Sequence, residues 1–246
     1  SESNFFKTIQ ENRTGEIEPV FADFQKEITF TDWNGIKMYC LKNVENSTFE
    51  LKFRFNAGEL NDLRLPIATQ YFDYLGTDQF TAAQFKEEFY RIACNLSFYS
   101  SDDYSQITLS GLSENYEKAL SLTMDLLNRA IPDKTALENL INDILKQRND
   151  AKSKQNSVLG ALVAYCEYGP ELTGYSLTEA QLKALTGAEL INVIKQLMSY
   201  EPEILYYGPT SVEELKQTLA KHYQKPAAFM QPAPESKFPL KEVTEN

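Results

Sequence analysis

The side chains able to bind a transition metal are few and scattered in this chain. There is one histidine, His222, and there are three cysteines, Cys40, Cys94 and Cys166. The cysteines form neither a Cys-x-x-Cys pair nor the spacing of a zinc knuckle. His222 lies near the end of a helical pattern, where a partial positive charge is favourable, so we expect a structural role for it. We therefore predict that this chain alone builds no zinc site.

One segment has the outline of a catalytic helix without the catalytic residues. Residues 65–80 read LPIATQYFDYLGTDQF, a helical pattern that ends shortly before Gly76-Thr77. This segment resembles the motif-bearing helix of the insulinase/pitrilysin/mitochondrial processing peptidase family, the inverted zincins. In working members, His-x-x-Glu-His stands a few residues before a Gly-Thr pair. Counting back from Gly76 puts Ile67, Gln70 and Tyr71 at the two histidine positions and the glutamate position.

The three replacements remove the chemistry that the resemblance implies. In such a site two imidazoles at i and i+4 bind zinc, and the carboxylate takes a proton from the zinc-bound water. Ile67 has no lone pair, Gln70 is not a base near neutral pH, and Tyr71 is a phenol with an ordinary pKa of about 10. We therefore expect a peptidase-like module without a metal or catalytic residues of its own.

Two further sets of residues are candidates for parts of a site. The resemblance implies a third zinc ligand, a glutamate on a later helix, and Glu138, Asp143 and Gln147 all have suitable positions in the sequence. A single acid without imidazoles would hardly hold zinc. Asp102 and Asp103 could form a carboxylate pair for acid–base catalysis, but aspartates between two strands are typical of a turn, which is the interpretation we adopt.

Composition limits the remaining classes of function. The chain has 246 residues, 42% hydrophobic content and a net charge of −11, from 24 Lys and Arg against 35 Asp and Glu. A chain of this length can bury a sizeable core. The acidic balance and the lack of clustered basic residues argue against a nucleic-acid surface. No run of about 18 apolar residues is present, so we predict no membrane span. Three cysteines without a disulfide framework favour neither the periplasm or cell envelope nor the cytoplasm.

Local patterns predict the elements around these positions. Asn34-Gly35 between two apolar runs predicts a hairpin, and the alternation in residues 49–56 predicts a half-buried strand. Residues 96–100 and 104–112 form a second predicted strand pair, and two longer helical patterns follow. Residues 168–175 are predicted as a loop, and residues 204–208 as the last strand. The predicted helix starts are Thr81 with Gln84, Thr178 with Gln181, Thr186 with Glu189, and Thr210 with Glu213.

The order of these landmarks extends the resemblance over residues 28–223. It implies an α+β fold in which a mostly antiparallel sheet is covered by helices, and hairpins followed by runs of helices agree with that class. We predict a linker or the tail of a preceding module in residues 1–27, the peptidase-like module in 28–224, and a Pro-rich linker to a following module in 225–246. The prolines of that linker are Pro226, Pro232, Pro234 and Pro239.

The resemblance also implies a function. We expect a non-catalytic module of a larger zinc metallopeptidase, which forms part of the peptide-binding chamber and supports the catalytic module. Its partners would be other modules of the same polypeptide and peptide or unfolded protein substrates, with zinc held only in the catalytic module. An exposed sheet edge could accept an extended peptide as an added strand. The alternative is a non-enzymatic pseudo-peptidase subunit that serves assembly or protein–protein interaction.

Overall fold

The architecture comes from a computed structural model that describes residues 23–241. The strands are β1 (Ile28–Trp33), β2 (Ile36–Lys42), β3 (Thr48–Phe55), β4 (Cys94–Ser100), β5 (Ser105–Leu112) and β6 (Pro202–Gly208). The helices are α1 (Phe24–Glu27), α2 (Leu65–Phe72), α3 (Ala82–Arg91), α4 (Tyr116–Arg129), α5 (Lys134–Ala151), α6 (Gln155–Tyr168), α7 (Pro170–Thr173), α8 (Glu179–Ala184), α9 (Gly187–Leu197) and α10 (Val212–His222). A single 3₁₀ turn, Ser113–Asn115, leads into α4.

The first hairpin forms where its turn residues predict it. Asn34 and Gly35 both have positive φ, 54° and 86°, which is the backbone of the tight turn that matches the twist of two paired strands. The Asp32 side chain accepts a hydrogen bond from the Gly35 N–H at 2.9 Å. The hairpin prediction is confirmed, with Ile28 opposite Leu41 and Trp33 opposite Ile36.

The six strands form one mixed sheet in the order β1-β2-β6-β3-β5-β4. Only β2 and β6 run parallel, and every other neighbouring pair is antiparallel. The last strand in the sequence thus lies between the second and the third. The predicted fold class, a mostly antiparallel sheet covered by helices, is confirmed.

The core lies between one face of the sheet and the helices. In β3, alternate residues Phe49, Leu51, Phe53 and Phe55 are buried, while the residues between them are half-buried. Helices α2, α3 and α4 contact β4, and α4 also contacts β5. Burial of this apolar face is the main driving force for folding, at roughly 25 cal/mol for each Å² removed from water.

Helix starts follow the predicted capping residues with one correction. Thr81 with Gln84 and Thr178 with Gln181 form reciprocal capping boxes, and Thr186 accepts the Glu189 N–H. The prediction for Thr210 was wrong, because the cap of α10 is one residue later. Ser211 and Glu214 form that box, and the Thr210 N–H instead donates to the Tyr206 hydroxyl at 3.3 Å.

The segment after α5 differs from its prediction. Residues 155–168, for which no element was predicted, form α6, and Gly169 ends this helix with φ of 88°. The predicted loop 168–175 is interrupted by α7, whose first residue is Pro170. Proline suits the first turn of a helix, since its missing N–H has no partner there in any case.

The Pro-rich end of the described chain lies against the module. We call residues 232–241 the strap. It forms neither helix nor strand, and the Phe238 ring packs against the Tyr175 ring at a centroid distance of 4.9 Å. Its backbone contacts are Asn61 Nδ2 to the Ala233 carbonyl (2.7 Å), the Ser236 N–H to the Leu60 carbonyl (2.8 Å), and the Lys241 N–H to the Glu167 carbonyl (2.7 Å). Residues 1–22 of the predicted leading segment lie outside the described residues.

Candidate functional site

Helix α2 carries the degenerate motif and is fixed at its first turn. Pro66 stands in that turn, where a proline is tolerated. The side chain of Arg64, which precedes the helix, binds Asp62 at 2.7 Å and Glu189 at 3.0 Å. Hydrogen bonds to Asp62, and then to Glu189, keep the pKa of Arg64 above its ordinary value. Since Glu189 lies in the first turn of α9, these contacts tie the starts of the two helices together.

The motif positions point in two different directions. Ile67 is buried and Tyr71 is fully buried, whereas Gln70 is exposed. Six of the eight residues of α2 are buried, and the helix packs mainly on β4 and α9, with a smaller contact to α5. A helix that is buried to this degree is primarily part of the hydrophobic core.

Tyr71 uses its hydroxyl as a structural link. The hydroxyl donates to the Asp133 carbonyl at 2.8 Å and accepts the Asp133 N–H at 2.7 Å. Asp133 is the N-cap of α5, so the link joins α2 to the start of that helix. Burial raises the pKa of Tyr71 above 10.0. A Cβ at position 187 would lie 2.6 Å from this hydroxyl, so the contact requires Gly187.

Ile67 and Gln70 open onto a cleft between α2 and α5, which we call the α2–α5 cleft. Its volume is about 350 Å³. Helix α5 contributes Gln147 and Arg148, and Glu59 comes from the segment that precedes α2. The full lining is Glu59, Leu63, Pro66, Ile67, Gln70, Ile144, Gln147, Arg148, Ala151 and Leu177. Tyr71 is not part of it.

The cleft distinguishes among the three candidates for the third ligand position. Only Gln147 lines the cleft, together with Ile67 and Gln70. Glu138 is exposed and pairs with Lys134 at 3.7 Å, and Asp143 is exposed one turn before Gln147 and is not among the lining residues. The residue that faces the motif helix is therefore an amide and not a carboxylate.

The side chains of the α2–α5 cleft do not fit zinc. Gln70 and Gln147 offer neutral amide oxygens, which are weak ligands for this ion. The Arg148 guanidinium, which donates to the Leu177 carbonyl at 2.6 Å, adds a positive charge that opposes a cation. Glu59 is the one carboxylate in the lining, and burial is the main cause that raises its pKa. Within residues 23–241, no three His, Cys, Asp or Glu side chains stand close enough to hold a metal.

The other candidate residues are not brought together. Asp102 and Asp103 lie in the β4–β5 turn, which is closed by the Ser101 N–H donating to the Tyr104 carbonyl at 2.7 Å. His222 ends α10, with its Nε2 3.0 Å from Glu117. Cys40 and Cys94 are buried in different strands, and Cys166 is exposed on α6.

A second and larger concavity lies at the edge of the sheet. Strand β4 is the last strand on its side, and a groove of about 860 Å³ runs between α3 and the first half of β4. We call it the β4 groove. Phe72, Phe85 and Leu96 are among its apolar lining residues, and Asp73 and Lys86 bring charges of both signs. Local sequence patterns do not indicate which strand is at the edge, because that depends on where β6 inserts.

An edge strand beside an apolar groove can bind extended polypeptide. Backbone N–H and C=O groups on the outer side of β4 have no neighbouring strand among residues 23–241. A peptide added there would gain backbone hydrogen bonds, and its alternate side chains could enter the groove. Tyr90, which is 87% exposed, lines the groove on the α3 side.

Comparison with solved structures identifies the architecture. The periplasmic protease PqqL from Escherichia coli superposes with a TM-score of 0.74 at 16% identity. A peptidase M16 inactive domain from Pseudomonas fluorescens superposes with a TM-score of 0.66, also at 16% identity. The chain has the M16 peptidase fold. The resemblance predicted from the helix and its Gly-Thr pair is thus confirmed in the fold.

The M16 match covers most of this chain but only part of its neighbours. The alignment with PqqL spans 93% of this chain and 26% of that one, and the alignment with the inactive domain spans 85% and 54%. A mutant of the ferredoxin protease FusC, in complex with Arabidopsis ferredoxin, matches with a TM-score of 0.70 at 15% identity over 93% and 26%. No family model and no curated protein matches the sequence. No described helix has the length and apolar character needed to cross a membrane.

Proposed function

We propose that this chain is a non-catalytic module of a larger zinc metallopeptidase of the M16 type. In this role it forms part of the chamber that binds peptides and supports the catalytic module. The peptidase-family module itself follows from the fold, which solved peptidases of this type share. The non-catalytic role depends on the side chains of the α2–α5 cleft.

The observation that carries the proposal is the content of that cleft. The resemblance puts Ile67, Gln70 and Tyr71 at the positions of the metal ligands and the base; the cleft presents Ile67 and Gln70 together with Gln147, and Tyr71 is turned away to Asp133. Arg148 adds a positive charge in the same space. None of these groups can activate water at neutral pH. Binding surfaces remote from the reacting bond can still position a substrate for chemistry in another module.

The β4 groove gives this module a way to hold substrate. We propose that an extended stretch of peptide or unfolded protein adds to β4 as a seventh strand. The FusC structure, which contains a ferredoxin, supports protein-sized substrates for this type of peptidase. Because the groove carries Asp73, Lys86 and Arg91, charges of both signs line it and we expect modest sequence preference.

Metal analysis tests the non-catalytic role. The purified chain is compared with the full-length protein that contains it, and zinc is measured per polypeptide together with cleavage of an unstructured peptide. We expect no stoichiometric zinc and no cleavage for the chain alone, and one zinc with cleavage for the full-length protein. Stoichiometric zinc with cleavage in the chain alone would overturn the proposal. A full-length protein without zinc and without His-x-x-Glu-His would instead favour a subunit that serves assembly only.

Hydrogen exchange tests the β4 groove. An unstructured peptide added in excess should slow exchange of β4 amides, since their N–H groups acquire partners. The variant Tyr90→Asp should weaken this protection, and Val44→Asp should not, since both side chains are highly exposed but only Tyr90 lines the groove. Protection spread evenly over the sheet, or equal loss in both variants, would exclude β4 as the binding edge.

A further inference from the structure

Helix α6 is apolar, yet no residue of 23–241 buries any of its side chains. Its sequence is QNSVLGALVAYCEY, in which Glu167 is the only acidic or basic residue. Tyr165, Val158, Leu162, Leu159 and Val163 fall in that order across one broad side of the helix. Their exposed fractions are 48, 50, 57, 56 and 46%, respectively. A helix with this composition is normally covered by protein on its apolar side.

The module itself leaves α6 open. Helix α6 contacts α7 and, through its C-terminal end, the strap. On the side opposite Leu162, a Cβ added to Gly160 would meet no atom within 4 Å. A glycine inside a helix costs about 1 kcal/mol relative to alanine. The missing side chain therefore relieves no crowding inside the described module, and surface is available around the helix.

The charges around α6 favour one kind of partner. Lys152 and Lys154 precede its first turn, both are exposed, and neither has an ion pair within the described part of the chain. The N-terminal end of a helix also carries a partial positive charge. A partner that covers the apolar side would therefore meet a basic border at this end. Its own surface should be apolar with carboxylates along the corresponding edge.

The strap brings the chain to the C-terminal end of α6. The Lys241 N–H donates to the Glu167 carbonyl at 2.7 Å, and Lys241 Nζ lies 4.7 Å from the centre of the Tyr165 ring. Polypeptide that follows Lys241 therefore starts beside α6. A tethered partner at this point has a high local concentration, about millimolar for a short flexible connection. The structural neighbours are longer chains, of which this chain matches 26% of PqqL and 54% of the inactive-domain chain, and we take part of that additional polypeptide to follow the matched module.

We propose that α6 is the docking surface for the next module of the same polypeptide, which covers Val158, Leu159 and Leu162 and places carboxylates near Lys152 and Lys154. This inference rests on the proposed function, because it requires a parent protein with further modules. The inference adds to that function the surface through which this module and the next one bind each other. The strap then acts as a fixed connection that delivers the next module to α6.

Cysteine labelling tests the docking surface directly. Cys166 lies on the apolar side of α6 and is exposed, whereas Cys40 and Cys94 are buried with pKa values raised by burial. A neutral maleimide should therefore modify Cys166 quickly in the chain alone. In the full-length protein we expect the rate to fall about tenfold or more, because the reagent then needs a local opening. The matched control is Val44→Cys in a Cys166→Ser background, which should react at similar rates in both forms.

Each outcome of the labelling decides the proposal. A fall in the rate at Cys166 relative to the cysteine at position 44 supports it, and equal rates in the two forms overturn it. Protection that appears in the chain alone as its concentration rises would show that a second copy covers α6, which also overturns it. Protection in a full-length protein that holds no zinc would leave the docking surface intact while the proposed function fails.

Substitution gives a second test. Leu159→Gln with Leu162→Gln removes apolar surface without emptying a buried site, so the chain should fold as before. Its affinity for the following polypeptide, expressed separately, should fall about a hundredfold, the size of effect typical of a central apolar cluster. The control Phe30→Gln changes a 64% exposed side chain on β1 and should not alter the affinity. Unchanged affinity in the α6 variant would exclude the docking surface.

Discussion

Helices α2 and α6 have similar apolar content but opposite surroundings. Helix α2 buries six of its eight residues, and α6 buries none of its fourteen. Helix α2 packs mainly on β4 and α9, while the main contacts of α6 are with α7 and the strap. Apolar composition alone therefore does not indicate which helix belongs to the core of this module.

The difference separates two uses of apolar surface. Helix α2, on which the sequence predicts the degenerate motif, is a core element, and its Tyr71 is hydrogen-bonded to Asp133. In α6 the apolar side chains add nothing to the core of this module. Large exposed apolar patches mark interaction surfaces in soluble proteins, and that is the use we infer for α6.

The largest effect should come from a core residue of α2. Phe72 is 2% exposed, and its ring meets the Phe98 ring edge-on at 5.3 Å. Phe72→Ala removes buried surface and leaves a cavity, so the free energy of unfolding should fall by about 3–5 kcal/mol. Urea denaturation measures this loss. The matched change Leu162→Ala on α6 should cost far less, and an equal loss for the two would show that α6 is part of the core.

Removal of the Tyr71 hydroxyl should cause a smaller loss in the free energy of unfolding. Tyr71→Phe leaves the Asp133 N–H and carbonyl without their partner, and because Asp133 is exposed and water can replace part of the contact, we expect a loss of about 1 kcal/mol in the free energy of unfolding. The ring stays in place, so the loss reports the hydrogen bonds. Tyr165→Phe on α6, whose side chain is 48% exposed, is the control. If denaturation shows no difference between the two variants, the link to α5 is not a stabilising contact.

Alkaline pH should reduce the difference between Tyr71→Phe and the natural chain. Burial raises the folded-state pKa of Tyr71 above 10.0, so its contribution to stability is complete below that pH. As the pH rises further, the unfolded chain ionises first and this contribution is lost. The gap in unfolding free energy between the two proteins should therefore stay constant up to about pH 9 and narrow as the pH rises through about 10 and above. A gap that does not narrow at these higher pH values would contradict a raised pKa.

The smallest effect on stability should be that of the double variant Leu159→Gln and Leu162→Gln. Neither side chain is buried, and both leucine and glutamine are good helix formers. The unfolding free energy of the chain alone should stay within about 0.5 kcal/mol of the natural value. Thermal unfolding of the two proteins side by side checks this. A large loss would mean that α6 contributes to the core in solution.

The elements that the sequence predicted well depend on neighbouring residues. The hairpin at Asn34-Gly35, the alternation in β3 and the capping box of Thr81 with Gln84 are all short-range signals. Cap placement failed where two adjacent residues, Thr210 and Ser211, were both suitable. Burial of Leu215 and Leu219 sets the register of α10 there, and that is tertiary information.

The features that the sequence did not predict depend on distant contacts. The position of β6 between β2 and β3 is decided by pairing across the whole chain. Helix α6 was not predicted because apolar and small residues occupy all of its sides. Its sequence therefore lacks the alternation of apolar and polar faces that identifies a helix. In the candidate site, the assignment of Ile67, Gln70 and Tyr71 to replaced motif positions stays a prediction. That Gln147 lines the cleft, and Glu138 and Asp143 do not, depends on how α5 packs beside α2, which is tertiary information.

The parallel pairing of β2 with β6 has a consequence for synthesis on the ribosome. Strands β2 and β3 emerge early and follow each other closely, but they cannot join, because β6 occupies the place between them. Until residues 202–208 leave the exit tunnel, the nascent module has two unfinished sheet pieces whose facing edges lack their partner. Such edges attract other strands, so early termination of translation should yield fragments that aggregate.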